Sequence, residues 1–185
     1  PGDIIGLVNA GDLRIGDTIY AGKKVEFPGV PRFAPEVFAT ARPLDSSKFK
    51  QFRRGLQQLD EEGVVQVLRD PDMGDADPIL AAVGQLQFEV VAHRLKTEYN
   101  VEARLMPSRY NLARWITSDD PKALRKFMDA NAAHIAYDVV DATAFLAGSQ
   151  AQLRVVQELY PEVKFHAMRE HGGRVFGAQA GAKST

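Results

Sequence analysis

The sequence predicts an α+β chain, a short β-barrel remnant followed by two units of βαββαβ order. Three observations lead there. Residues 1–33 show short β-rich runs broken by Gly, Asn and Pro turns. From Pro35 onward, strand-like and helix-like periodicities alternate. The order strand, helix, strand, strand, helix, strand then occurs twice, over 34–107 and 108–171.

Each element has its own signal. Within 1–33, Ile4–Val8, Leu13–Ile15, Thr18–Tyr20 and Lys24–Phe27 are strand candidates, too few to close a barrel. Glu36–Arg42 is the first strand of the first unit. Asp45 and Ser46 are N-cap candidates, because their oxygens can accept from the free N–H groups of a helix start. The helix that follows has Phe49, Phe52, Leu56 and Leu59 on one stripe and Gly63 as its stop. Val64–Leu68 is a strand, Asp70–Pro78 a polar loop by composition, and Ile79–Val83 another strand. A helix from Gly84 to Tyr99 is expected to turn Leu86, Val90 and Leu95 inward, with Asn100 ending it and Glu102–Met106 as the closing strand.

The second unit repeats the order without sequence identity. Leu112–Thr117 is a strand. Asp120-Pro121 reads as a cap with Pro at the first helical position, ahead of an apolar face of Leu124, Phe127 and Met128. Ala133–Asp138 and Thr143–Ala147 are short strands. Ser149 caps a helix carrying Leu153, Val156 and Leu159, and Pro161 stops it before a strand at Val163–Met168. Both units thus have the split βαβ, or ferredoxin-like, order. Residues 172–185 are Gly/Ala-rich and are expected to be disordered.

Composition narrows the function classes. The 185 residues include 23 Lys+Arg against 24 Asp+Glu, a formal net charge of −1, with 45% hydrophobic residues. That is ordinary for a globular chain and unlike a strongly basic nucleic-acid binder. No run approaches the ~18 apolar residues of a membrane span. There is no Cys, which removes disulfides, thiolate metal sites and thiol nucleophiles, and fits a reducing cytosol. The chain opens at Pro1 without an initiator Met or a signal-peptide pattern, so it is expected to be a piece of a longer protein.

No catalytic constellation emerges. Gly181-Ala182-Lys183-Ser184-Thr185 imitates a phosphate loop, but Ala182 splits the Gly-Lys pair and no helix can follow. The histidines, His93, His134, His166 and His171, lack metal-ligand spacing. His93 is expected to face solvent, and His134 and His166 to be packed or hydrogen-bonded. Asp72, Asp75 and Asp77 share a loop with Gly74 but not the ligand order of a calcium loop. There is no Ser nucleophile elbow. Asp60-Glu61-Glu62 reads as a solvated helix end, and Trp115 as a core residue rather than a base-stacking platform. One feature has binding potential: Lys48, Lys50, Arg53 and Arg54 flank the apolar stripe of the first helix, with Gln57 and Gln58 beyond them. Clustered cations can sit on RNA phosphate, although such faces are also common on solvated helices.

Several stretches carry a resemblance. Gly2-Asp3-Ile4-Ile5-Gly6 and Ile15-Gly16-Asp17-Thr18 resemble the end of the second, barrel domain of translational GTPases. More specific are Pro31-Arg32-Phe33-Ala34-Pro35-Glu36-Val37-Phe38, the block Gly55–Gly63 with Gln66-Val67, and the block Leu86–Glu102. Ala113-Arg114-Trp115 and Phe165–His171 extend the match. These are similar to the third domain of the bacterial peptide chain release factor 3 family rather than to elongation factor G.

The resemblance implies a cytoplasmic GTPase of translation termination that docks on the ribosome and promotes departure of class I release factors. It implies that GTP is held by an N-terminal G domain outside this chain, so that no cofactor, catalytic or metal site falls within it. It also implies a contact with the ribosome, through ribosomal RNA and ribosomal protein, for which Lys48, Lys50, Arg53, Arg54, Arg169 and His171 are the candidates. Two rival readings of the fold remain: a small-molecule-sensing regulatory module, and an acylphosphatase-type enzyme, for which Arg42-Pro43-Leu44-Asp45 is a poor phosphate cradle.

Overall fold

The structure, a computed structural model, describes residues 2–8, 13, 17–25, 27, 31–32, 34–71, 74–167 and 169–170. The elements, in chain order, are β1 (Pro31–Arg32), β2 (Val37–Pro43), α1 (Phe49–Glu61), β3 (Gln66–Asp70), β4 (Gly74–Ala82), α2 (Leu86–Tyr99) and β5 (Ala103–Pro107). They continue with β6 (Leu112–Thr117), α3 (Pro121–Ala130), β7 (Ile135–Tyr137), β8 (Thr143–Ala147), α4 (Gln150–Leu159), β9 (Lys164–His166) and β10 (Arg169–Glu170). Among the described residues no helix is long and apolar enough to cross a membrane.

Eight of the strands form one sheet in the order β5-β2-β4-β3-β7-β8-β6-β9, and every neighbouring pair is antiparallel. Read within each unit, β5-β2-β4-β3 is the fourth, first, third and second strand, and β7-β8-β6-β9 is the mirror of it. Both are split βαβ units. They join through their second strands, where Arg69 of β3 lies opposite Tyr137 of β7. The two units therefore share a single sheet.

Strand alternation sorts the apolar residues into three cores. One face of the first half packs under α1 and α2, with Ala41, Phe52, Leu59, Leu80, Val91 and Leu95 at its centre. The corresponding face of the second half packs under α3 and α4 around Phe127, Phe145 and Leu153. The helix-free faces of both halves share a third cluster, in which Phe38, Leu68, Ile79 and Ala81 meet Tyr110, Ala113, Ala136 and Leu146. Trp115 is buried, as its strand pattern indicates, and its indole N–H donates to Asp138 Oδ2 at 3.1 Å.

The helix starts follow the capping chemistry read from the sequence. Asp45 Oδ1 accepts from Ser47 N at 2.9 Å and opens a 3-10 turn, Ser46–Lys48, that runs into α1. Asp120 accepts from Lys122 N ahead of α3, and Ser149 from Gln152 N ahead of α4. Gly63, at φ +74°, and Asn100, at φ 53°, take the left-handed conformation at the ends of α1 and α2. Gly55 has a different duty. A Cβ there would sit 2.7 Å from Leu95 Cδ2 and 3.0 Å from the Tyr99 ring, so only glycine lets α1 and α2 cross this closely.

Several expectations are corrected. The described residues between 2 and 27 form no strand, and Ile4 and Val8 stand fully open at 100% and 90% exposure. The remaining positions of those strand candidates lie outside the described residues. Within the expected polar loop 70–78, Asp70 lies opposite Gly74 and the described residues from Gly74 onward are the first half of β4. Its Asp/Gly/Pro composition suggests a loop, but the β3–β4 ladder reaches Asp70 and Gly74, with a register shift between Leu68 and Asp70.

α2 turns Phe88, Val91 and Leu95 inward, leaving Leu86 exposed and Val90 half-exposed. Two apolar stripes compete on that helix, and the larger Phe88 together with Leu95 against Gly55 sets the rotation. Leu159 is likewise exposed at the end of α4. The expected strand 133–138 begins as a 3-10 turn, Ala132–His134, and the expected strand 163–168 is β9 alone. β10 beyond it pairs with β1, Pro31 opposite Glu170. Residues 172–185, expected to be disordered, lie outside the described residues.

The α1–α2 crossing makes a direct prediction. Gly55→Ala gains about 1 kcal/mol of helix propensity but overpacks a filled site at a cost of about 1–3 kcal/mol. Urea unfolding should report a net loss of about 1 kcal/mol, and a stabilised variant would contradict the close approach.

Candidate functional site

The outward face of α1 is the principal candidate, and its position follows from the helix period. Phe52, Leu56 and Leu59 are buried on one stripe, which turns Lys50, Arg53, Arg54, Gln57 and Gln58 toward solvent. The charges along α1 run against its macrodipole: no acid lies in the first turn and no base in the last, while the cations occupy the N-terminal half. Helix stability alone does not favour this order.

Packing accounts for the acidic end. Asp60 is 1% exposed, and its Oδ2 accepts from Val67 N at 2.8 Å, fixing the start of β3 to the helix end. The expected solvated acid run is thus partly a structural anchor. Glu62 pairs with Arg94 of α2, whose Nε also donates to Glu98 Oε1 at 2.6 Å. The hydrogen bond from Arg94 holds both glutamates below the usual carboxylate range and raises the guanidinium in turn.

The cationic end is only partly accounted for. Lys48 is half-buried, and its Nζ donates to Asn100 O at 2.6 Å, closing the C-terminus of α2. Arg53 is exposed and has an interaction partner of its own. Lys50 and Arg54 project outward one turn apart on the same face. Of the other candidates, Arg169 lies on the β1–β10 ribbon and so belongs to a different element. His171 lies outside the described residues.

The remaining titratable motifs have structural duties. Asp77 is 8% exposed and takes both prongs of the Arg42 guanidinium, which also occupies the arginine of the weak phosphate cradle. His134 Nδ1 lies 2.9 Å from Leu146 O, and His166 Nε2 lies 2.7 Å from Thr117 Oγ1. His93 is exposed, as expected. Among the described residues no three His, Asp or Glu side chains converge as a metal-binding group.

Sequence reasoning missed one feature, a groove at the seam between the two half-sheets. Its volume is about 270 Å³, and it runs between α1, the β3–β4 hairpin and Val139 after β7. Arg69 spans the seam beside it, donating to Asp138 O at 3.0 Å and pairing with Asp141. Asp138 in turn holds the 138–142 turn by accepting from Val140 N and Ala142 N. Roughly seventy positions separate the two sides, so no local pattern signals the groove; only the shared sheet brings them together.

Comparisons with known proteins fit this fold. Residues 27–157 match the family model described as Class II release factor RF3, C-terminal domain. The chain belongs to that family. It is 66% identical over 176 residues to the peptide chain release factor 3 of Bordetella avium, covering 95% of this chain and 33% of that protein. To the peptide chain release factor 3 of Bordetella petrii it is 64% identical over 179 residues, covering 97% and 33%. To that of Nitrosomonas europaea it is 51% identical over 175 residues, covering 95% and 32%. The chain spans about a third of the length of these relatives. This membership disfavours the small-molecule-sensor reading.

The Arg94 cluster predicts a pH effect. Glu62 and Glu98 have depressed values in the folded state, so their contribution is present above the ordinary glutamate pKa of about 4.3 and is lost as pH falls through the depressed range. Arg94→Leu should flatten the fall in melting temperature below about pH 4.3. An unchanged acid limb would show that the cluster contributes nothing.

Proposed function

We propose that this chain is a ribosome-docking part of a peptide chain release factor 3, in which α1 contacts ribosomal RNA. The single observation that carries the reading is the match to that factor across nearly the whole chain. The outward cations of α1, placed against the helix dipole, supply the docking chemistry. Several cations held on a rigid helix neutralise neighbouring phosphates and release their counterions.

In this reading residues 1–33 are the end of a barrel domain, and 34–107 and 108–171 are the two units of the docking domain. GTP is bound and hydrolysed by a G domain elsewhere in the longer protein, and the factor acts in the cytoplasm. Its consequence there is departure of class I release factors from the ribosome after peptide release. The rigid sheet would transmit movement between the G domain and the ribosome as a lever. Lys50 and Arg54 are assigned the central RNA contacts, Arg53 a flanking one, and Lys48 a supporting role through α2. Arg169 and His171 remain assigned to the same partner.

Two measurements test the reading. Calorimetry of the 185-residue chain with GTP should give no heat of binding; saturable micromolar binding would contradict it. In the longer protein, the double charge reversal Lys50→Glu with Arg54→Glu should weaken ribosome binding. It should also lower the slope of log affinity against log salt by about two. Unchanged affinity and slope would make α1 an ordinary solvated face.

A further inference from the structure

We infer that α3 carries a second phosphate-binding face, and that the two units together bridge two separate RNA segments, one held by α1 and the other by α3. The inference rests on the ribosome-docking reading and adds to it a site and a bridging role. It starts from the repeat of element order. Lys50, Arg53 and Arg54 of α1 recur 72 positions later as Lys122, Arg125 and Lys126 of α3, with the same i, i+3, i+4 spacing that gathers side chains on one face. The inward residues keep the same offset: Phe52, Gly55 and Leu56 of α1 correspond to Leu124, Phe127 and Met128 of α3.

The α3 triad is exposed, and among the described residues no side chain pairs with any of its three cations. Like α1, α3 has no acid in its first turn and no base in its last, so its cations crowd the positive end of the helix dipole. α2 has the dipole-favoured order instead, with Glu89 in its first turn and Lys96 in its last. The two acids that precede α3 are already engaged. Asp120 Oδ1 accepts from Lys122 N at 2.8 Å, and Asp119 Oδ2 accepts from Lys164 Nζ at 2.6 Å. Asp129 lies at the far end of the helix.

The surroundings favour phosphate over protein as the occupant. A protein interface is dominated by apolar or aromatic anchors. α3 exposes no large apolar side chain, whereas α2 exposes Leu86 and Val90, and α4 exposes Val155 and Leu159. Phosphate binding needs only cations held in place.

The fold then separates the two triads. α1 packs on the outer face of the first half-sheet and α3 on that of the second, and the helix-free faces of both halves meet between them. The triads therefore stand on opposite outer layers. One duplex segment cannot lie on both, so each triad takes a segment of its own.

The test uses the longer protein on bacterial ribosomes, with a photoreactive benzophenone amino acid placed at Lys50 or at Lys122 in separate variants. RNA adducts are mapped by primer extension. The inference expects both positions to label RNA, at two segments that do not pair with each other. Protein adducts alone from Lys122, or no adduct there while Lys50 labels RNA, would overturn the second face and leave the α1 contact standing. Adducts from both positions at one segment would overturn the bridge. No adduct from either position would overturn both readings. As a second readout, the triple reversal Lys122→Glu, Arg125→Glu and Lys126→Glu should weaken ribosome binding severalfold. It should also lower the slope of log affinity against log salt by about two to three, with α1 intact. Acids in that turn suit the helix dipole, so the variant should keep its melting temperature. An unchanged affinity and slope in the folded variant would also overturn the inference.

Discussion

The pairing of β3 with β7 is the constraint on which the rest of the molecule depends. Each unit alone would leave its second strand as an open edge, with unpaired N–H and C=O groups. Joining those two edges turns two four-stranded sheets into one of eight. The junction is short, with Arg69 opposite Tyr137, and side chains reinforce it. Arg69 reaches the 138–142 turn, and Asp138 ties that turn to the buried Trp115 indole. The shared cluster of Phe38, Leu68 and Ile79 with Tyr110, Ala113 and Leu146 then buries the helix-free faces of both halves. Burying each large apolar side chain there contributes about 1.5–3 kcal/mol, so the pair of units behaves as one body.

A rigid body is what the proposed docking role requires. α1 is held from three sides: by its apolar stripe, by Asp60 on the backbone of β3, and by the Gly55 crossing with α2. Its outward cations are therefore presented in a fixed pattern, and fixed charges lose less entropy on meeting phosphate than mobile ones. The seam places the groove along the flank of the same helix. α1 thus has two faces, an inner one that belongs to the core and an outer one that carries exposed cations.

Much of this was legible in the sequence, and the failures have physical causes. The order of elements, the caps at Asp45, Asp120 and Ser149, and the stop at Gly63 are local events, governed by hydrogen bonds within a few residues. The α1 stripe was readable because its apolar residues stand alone on one face. The rotation of α2 was not, because Leu86 and Val90 compete with Phe88 and Val91, and the decision comes from Gly55 on another helix. The segment 70–78 was read as a loop because its composition masks a ladder set by β3. The seam and its groove depend on residues such as Arg69 and Asp141, whose proximity is purely tertiary. The cationic face was visible from the start; its departure from the helix dipole became informative once Asp60, Glu62 and Lys48 had found their partners.

The central claim is that α1 faces ribosomal RNA. Electron cryomicroscopy of the longer protein bound to the bacterial ribosome tests it most directly. The account predicts Lys50 Nζ and the Arg54 guanidinium within about 4 Å of RNA phosphate oxygens, the reach of a direct ion pair. A reconstruction in which the outer face of α1 points into solvent while the factor is bound would contradict it.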